Sequence, residues 1–328
     1  MHTTFTQTLS ARLPMILPLV LALGLFGPAQ AAEPSANQSK QQATDKAASA
    51  SSKAAKGKAQ QSRGLFWEIQ SGNKTVYMFG SIHIAKPDFY PLPKQVQAAY
   101  KKAAVLAVEV DASAPGVQEK VMPYMTYAAP DKLQNHLTPQ TWKALSDTIG
   151  PNVEAMQQLK PVIVATALSI GVMQQLGYDA QSGIDMHFLK QAKADKKTIQ
   201  EFESAEFQGQ VLASLNDAEG DAVLAQALVS LKNGEMKQQL DDMVSAWRSG
   251  DAEKLANLLR EASSKDIGSE KMMKKLFDER NIGMAEKVVQ LLESGKPAFI
   301  VLGAGHMAGP NSIVDLLQKK GIKIKQIK

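Results

Sequence analysis

The sequence predicts an α/β fold with α+β character. Its central sheet is built from the N- and C-terminal parts of the folded chain, and a large helical insertion, roughly residues 116–292, lies between them. Three observations carry this expectation. Strand-like apolar runs cluster at the two ends. The long middle stretch has the 3.6-residue apolar period of helices. The pattern Gly-x-x-His-x-Ala-x-Pro occurs twice, at 80–87 (GSIHIAKP) and 303–310 (GAGHMAGP), each time directly after a β-rich run.

The elements follow in order. GLFWEIQ and KTVYMFGS, from residue 64, are two β-rich runs joined by Ser71-Gly72-Asn73, a hairpin turn signal. PLPKQVQAAYKKA reads as a helix opened by proline. AAVLAVEVD, residues 103–111, is continuously apolar until Glu109 and Asp111, as expected of a strand covered on both faces. Helical patterns then cover roughly 116–128, 139–149, 160–177, 184–195, 204–216, 218–233, 235–249 and 251–263. KKTIQEFES interrupts them and predicts a buried strand ending at Glu203. A long helix is predicted from Ser269 to Leu292. PAFIVLGAGH is a strand ending in glycines, and NSIVDLLQKKG is a helix with Gly321 past its last turn. IKIKQI alternates with lysine, as an edge strand does.

The first 63 residues are of another kind. Residues 1–31 read as a signal peptide: Arg12 precedes the run LPMILPLVLALGLFG, and Ala29-Gln30-Ala31 matches an A-x-A cleavage site. The run is short for a membrane helix and contains Pro14 and Pro18. Cleavage is expected near Ala31, giving a periplasmic or secreted protein without a transmembrane segment. There is no cysteine at that point, which excludes a bacterial lipoprotein. Residues 32–63 are Ala, Ser, Gln and Lys with no aromatic or β-branched apolar residue, the composition of a disordered tether. Six Lys or Arg there stand against Glu33 and Asp45. With Arg12 they account for the whole net charge of +5, so the domain at 64–328 is close to neutral. Nucleic-acid binding by the domain is therefore not expected, although the basic linker is able to touch an anionic surface. The chain has no cysteine, which excludes thiol catalysis, Cys-ligated metals and disulfides.

Four strand exits carry chemistry-bearing groups: His83, Glu109, Glu203 and His306. In α/β sheets, functional groups gather at the carboxyl ends of strands. Two imidazoles and two carboxylates suit a divalent ion such as Zn²⁺, Mn²⁺ or Co²⁺. Gly80, Gly303 and Gly305 allow sharp turns and close backbone approach, and Pro87 and Pro310 fix the direction of departure. A lone Gly-x-x-His is a weak signal; the four matched offsets give the pair its weight. His136 reads as a structural loop residue and His187 as part of a helix. On pattern alone Arg280-Asn281 is a charged helix face, and Tyr178 and Asp185 are a helix end and a cap.

GSIHIAKPDFYPLP, AVEVD, SGIDMHFLKQAKADKKTIQEFES and the stretch from ERNIGMAEK to KKGIKI closely resemble the TraB/PrgY/GumN family. That family is related to the TIKI metalloproteases and, more distantly, to erythromycin esterase and ChaN-like proteins. The resemblance spans about 64–328 and keeps the family's motif order. It implies that Gly80 with His83 and Gly303 with His306 are the two Gly-x-x-His motifs, that Glu109 and Glu203 are the acidic positions, and that Arg280 and Asn281 are the Arg-Asn pair. Gly183-Ile184-Asp185 matches the family's Gly-Ile-Asp element. Glu203 lies here in Phe-Glu-Ser, where the family usually has Leu-Glu-Thr. The resemblance raises Arg280 to an anchor for a carboxylate or a developing oxyanion. The expectation is an exported metal-dependent hydrolase of peptide or protein substrates. His83 and His306 would bind the ion, with Glu109, Glu203 or both, and a carboxylate not used as ligand would be the general base. A metal-free esterase-like hydrolase and a non-catalytic binding protein are the alternatives.

Overall fold

A computed structural model describes residues 63–263 and 267–328. The segments read above as a signal peptide and, up to residue 62, as a linker lie outside the described residues.

The hairpin falls where the turn signal put it. β1 (Leu65–Ser71) and β2 (Lys74–Ser81) pair antiparallel around Gly72, whose φ is +59°. β3 (Val105–Val108) and β5 (Ala298–Gly303) are buried along their whole length. β4 (Thr198–Glu201) and β6 (Lys323–Gln326) close the two sides. The strand order is β4-β3-β5-β2-β1-β6, with β4, β3, β5 and β2 parallel. β6 is the expected edge.

β4 departs from expectation, because it is an edge strand with half-exposed and exposed residues. Among the described residues β3 is its one neighbour, so one side of its ladder meets no strand there. Phe202, just past it, supplies the burial instead. The inserted segment is therefore not helical throughout: it contributes one strand to the sheet.

α1 (Lys94–Lys102) and α5 (Ile184–Ala194) lie against the inner strands. Tyr100 and Phe188 from these helices meet the ring of Phe299 on β5, which also contacts Phe66 and Phe79. The helical layer is α2 (Val117–Met125), α3 (Pro139–Ile149), α4 (Pro161–Gln175), α6 (Ala205–Leu212), α7 (Asp217–Lys232), α8 (Glu235–Ser249) and α9 (Ala252–Ser263). Its boundaries are set by local chemistry. Thr138 caps α3, with Pro139 at its first position; Ser204 caps α6; Asn216 and Glu219 form a reciprocal capping box on α7.

The long C-terminal helix is not uniform. α10 (Ile267–Met273) passes into a π-helical turn, Lys274–Asp278, before α11 (Glu279–Ser294) begins. α11 packs against β1 and β2, and α12 (Ile313–Lys319) is capped by Ser312. Among the described residues no helix is long and apolar enough to cross a membrane.

Candidate functional site

The strand order answers why the chain builds the same exit twice. β2 and β5 are parallel neighbours, with Ser81 opposite Gly303. Their motifs leave the sheet side by side. β3 lies on the other side of β5, and β4 beyond it, so the exits run Glu203, Glu109, His306, His83 along one edge. The ladder continues past β4, since Phe202 and Glu203 donate their N–H groups to Val108 and Glu109. The frames diverge beyond the sheet. His83 lies in a bend just before a bridge between Ala85 and Asp179, whereas His306 sits in a 3₁₀ turn, Ala304–Met307.

Close approach depends on two glycines. A Cβ on Gly80 would come within 3.2 Å of the Ala304 backbone. A Cβ on Gly183 would overlap the carbonyl oxygen of His83. Gly183 starts α5 there, Ile184 N–H donates to the Ile82 carbonyl at 3.0 Å, and the first turn of α5 presents Asp185 to His83. Asp185 makes no capping bond, contrary to its reading as a cap. Its Oδ2 lies 2.6 Å from His83 Nδ1.

Asn281 serves His306 in the same way. Its Oδ1 is 2.7 Å from His306 Nδ1, while its Nδ2 donates to the Asn311 carbonyl at 2.9 Å. The second bond fixes which way the amide faces, so Nδ1 of His306 carries the proton. Both histidines thus spend Nδ1 on an oxygen acceptor and keep Nε2 inward. Both Nε2 atoms are buried without a hydrogen-bond partner.

The carboxylates have other partners. Arg280 Nη2 lies 2.7 Å from Glu109 Oε2 and 2.6 Å from Glu203 Oε2, and its Nε is 2.9 Å from Glu203 Oε1. Its Nη1 donates to the Leu276 carbonyl at 3.0 Å. Arg280 is 3% exposed, so it is not a charged surface face. The carboxylates it anchors are the chain's own. Glu109 Oε1 accepts the Gly303 N–H at 2.7 Å and lies 3.7 Å from His306 Nε2.

Gln208 escaped the sequence reading. It is fully buried, and its Nε2 donates to Glu109 Oε2 at 3.1 Å and Glu203 Oε2 at 2.9 Å. A spacing of five from Glu203 across the Ser204 cap is the signal that could have found it. His136 and His187 bond elsewhere, the first to Asp131 and Asp217, the second to Gln191.

Burial acts differently on each group. It raises the Glu109 pKa above the usual carboxylate value, against the pull of Arg280 and His83. It would lower His83, but the charge and hydrogen bond of Asp185 outweigh it and the net shift is upward. His306 is pushed well down by burial, then by Arg280 and His83, and is therefore neutral.

The geometry tests the expected ion. Two buried imidazoles, each oriented by an acceptor on Nδ1, have the arrangement of metal-binding histidines, with His83 giving up any proton on Nε2 as the ion binds. Glu109 Oε1 lies 3.7 Å from one of them, Nε2 of His306. Glu203 has both oxygens engaged by Arg280 and Gln208. Among the described residues no group of three or more His, Cys, Asp or Glu side chains is arranged to hold a metal ion. The two-histidine, two-glutamate ligand set is thus not assembled in this structure, because Arg280 takes up the carboxylates.

The profile of the TraB/PrgY/gumN family matches residues 65–326. The chain belongs to this family. YbaP, an uncharacterized protein of Escherichia coli K12, is 26% identical over 253 residues, 75% of this chain and 89% of YbaP. A metalloprotease TIKI homolog of Nematostella vectensis is 26% identical over 167 residues, 44% of this chain and 36% of that protein. Metalloprotease TIKI1 of Danio rerio is 19% identical over 312 residues, 80% of this chain and 62% of TIKI1. No solved structure matches the chain. Family membership and these distant metalloprotease relatives support a hydrolase.

Proposed function

We propose that the protein is an exported, metal-dependent hydrolase of peptide or amide bonds. The observation that carries this reading is the pair of buried, unpartnered Nε2 atoms of His83 and His306, each held by an acceptor on Nδ1. Those two histidines would hold a divalent ion, and Glu109 would join them through Oε1 only by moving from the position it has here. A bound ion supplies an acidified water and polarises the scissile carbonyl.

The chain's residues do the rest. Asp185 and Asn281 keep both rings in the tautomer that offers Nε2. Arg280 and Gln208 fix the rotamers of Glu109 and Glu203. Glu203, placed beside Glu109, would take a proton from the attacking water, and Arg280 would balance the charge that develops. Peptide bonds are the proposed substrate because the TIKI relatives are named metalloproteases. Export rests on the sequence of residues 1–31.

The test is elemental analysis of the untagged protein and of a His83→Ala/His306→Ala variant. About one ion per chain in the wild type, absent in the variant, is the expected result. No ion in either, even after incubation with Zn²⁺, Mn²⁺ or Co²⁺, overturns the metal.

The clamp of Arg280 on both carboxylates favours a second reading, in which neutral His306 activates water directly. Chelator-resistant hydrolysis, lost in His83→Ala and His306→Ala, would single it out.

A further inference from the structure

The two imidazole nitrogens are sealed inside the protein, since His306 is fully buried and His83 only 7% exposed. A substrate reaches them only past a wall. Phe277 forms one such wall. It sits in the π-helical turn, is 5% exposed, and its ring centroid lies 5.1 Å from that of His306 at 60°. A Cβ on Gly305, the residue before His306, would overlap the edge of this ring. The ring therefore occupies the space that Gly305 leaves open.

A surface groove of about 280 Å³ lies at the same place, lined by Phe277, Asn281 and Gly305 together with Ala308 and Pro310. It continues into a hollow of about 580 Å³ that runs toward Trp67 on β1 and Ile324 on β6; the two share Ala256, Arg260, Gly309 and Pro310. Together they have the volume of a small ligand-binding cleft. The inner end of this path stops at Phe277, whose ring packs on His306.

The turn that carries the ring is not regular helix. Glu279 N–H bonds to the Lys274 carbonyl five residues back, and the Leu276 carbonyl serves the Arg280 side chain. Turns of this kind recur at functional sites. The ring and the arginine that holds both carboxylates are thus three residues apart, on either side of the junction between this turn and α11.

We propose that Phe277 is the access-determining residue of this site: its ring closes the inner end of the groove and swings aside to admit an extended peptide segment. This rests on the hydrolase reading for the identity of the substrate. It does not rest on it for the existence of the gate.

Labelling with diethyl pyrocarbonate, read histidine by histidine by mass spectrometry, tests it. The full chain is labelled at pH 7 after chelation, so the result does not depend on whether an ion binds. In the wild type, His306 should label much more slowly than half-buried His187. Phe277→Ala removes the ring, and Gly305→Ala displaces it. Each should raise the His306 rate by about tenfold or more, a shift from closed to open, with His136 and His187 unchanged. If every histidine of Phe277→Ala labels fast, that variant has unfolded, and Phe277→Leu and Gly305→Ala decide. His306 labelling at the wild-type rate in folded variants overturns the gate, as does a wild-type His306 that labels as fast as His187. Loss of the metal reading by elemental analysis would leave these outcomes untouched.

Discussion

Nδ1 of His83 lies 2.6 Å from Oδ2 of Asp185, across 102 residues of chain. The contact joins the exit of β2 to the first turn of α5. It exists because Gly183 lets the helix start against the His83 backbone. A carboxylate only accepts at neutral pH, so the His83 proton is held on Nδ1.

Asp185→Asn is the direct test of that orientation. The amide can donate to Nδ1 and turn the proton to Nε2, which removes the lone pair. Partners that orient metal-binding histidines are worth about 10- to 100-fold in affinity. A loss of that size is expected in Zn²⁺ or Co²⁺ titrations followed by calorimetry, with the thermal midpoint of the ion-free protein nearly unchanged. Unaltered affinity would show that Asp185 only tethers the helix.

Arg280 is the hub of the carboxylate pair. Arg280→Ala leaves buried Glu109 beside half-buried Glu203, with Gln208 serving both and the Gly303 N–H serving Glu109. Breaking a buried pair by removing one partner costs about 3–5 kcal/mol. Urea denaturation should show a loss of that order at pH 7. The loss should shrink as pH falls, because burial already raises the Glu109 pKa and the variant lacks the main opposing charge. The folded state then binds a proton more readily than the unfolded chain, so acid favours it. A loss independent of pH would count against the buried carboxylates as its cause.

Gly183→Ala should be severe although it adds one methyl. That methyl meets the carbonyl oxygen of His83, a backbone atom with no freedom to yield. Overpacking costs about 1–3 kcal/mol, sometimes more. The upper end is expected in urea, together with loss of the slow-exchanging Ile184 amide that bonds to Ile82. A neutral substitution would mean that α5 can shift without disturbing the site.

How much of this could be read from the chain depends on the range of each interaction. Apolar runs and turn signals are local, so β1, β2, β3 and β5 could be read directly, as could the approximate spans of the helices. The repeated frame around His83 and His306 marked two neighbouring exits before their adjacency was visible. Arg280 could not be understood locally. FDERNIGMA is charged and looks solvated, yet the partners that bury Arg280 lie 77 and 171 residues away. Gln208 follows no apolar period, because its bonds go to two carboxylates on other elements. The π-helical turn has no marker in a stretch that reads as continuous helix, and β4 as an edge follows from strand order, which no single segment encodes.

His136 supplies a pH response remote from the site. It bonds Asp217 through Nδ1 and Asp131 through Nε2, both at 2.8 Å, and stacks on Tyr127 with centroids 3.9 Å apart. Burial would lower its pKa, but hydrogen bonds and charge from Asp217 and Asp131 outweigh it, and the net shift is upward from 6.5. A histidine whose folded pKa is raised gives stability that is fully present below its unfolded value and lost as pH rises through the folded one. Thermal midpoints should therefore fall on going from pH 6 toward pH 8 in the wild type. His136→Gln should lower the midpoint at pH 6 and flatten that slope, leaving ion binding at His83 and His306 intact. An equal slope in the variant would show that the ring is not protonated in the folded state, and that Asp131 and Asp217 hold it by neutral contacts alone.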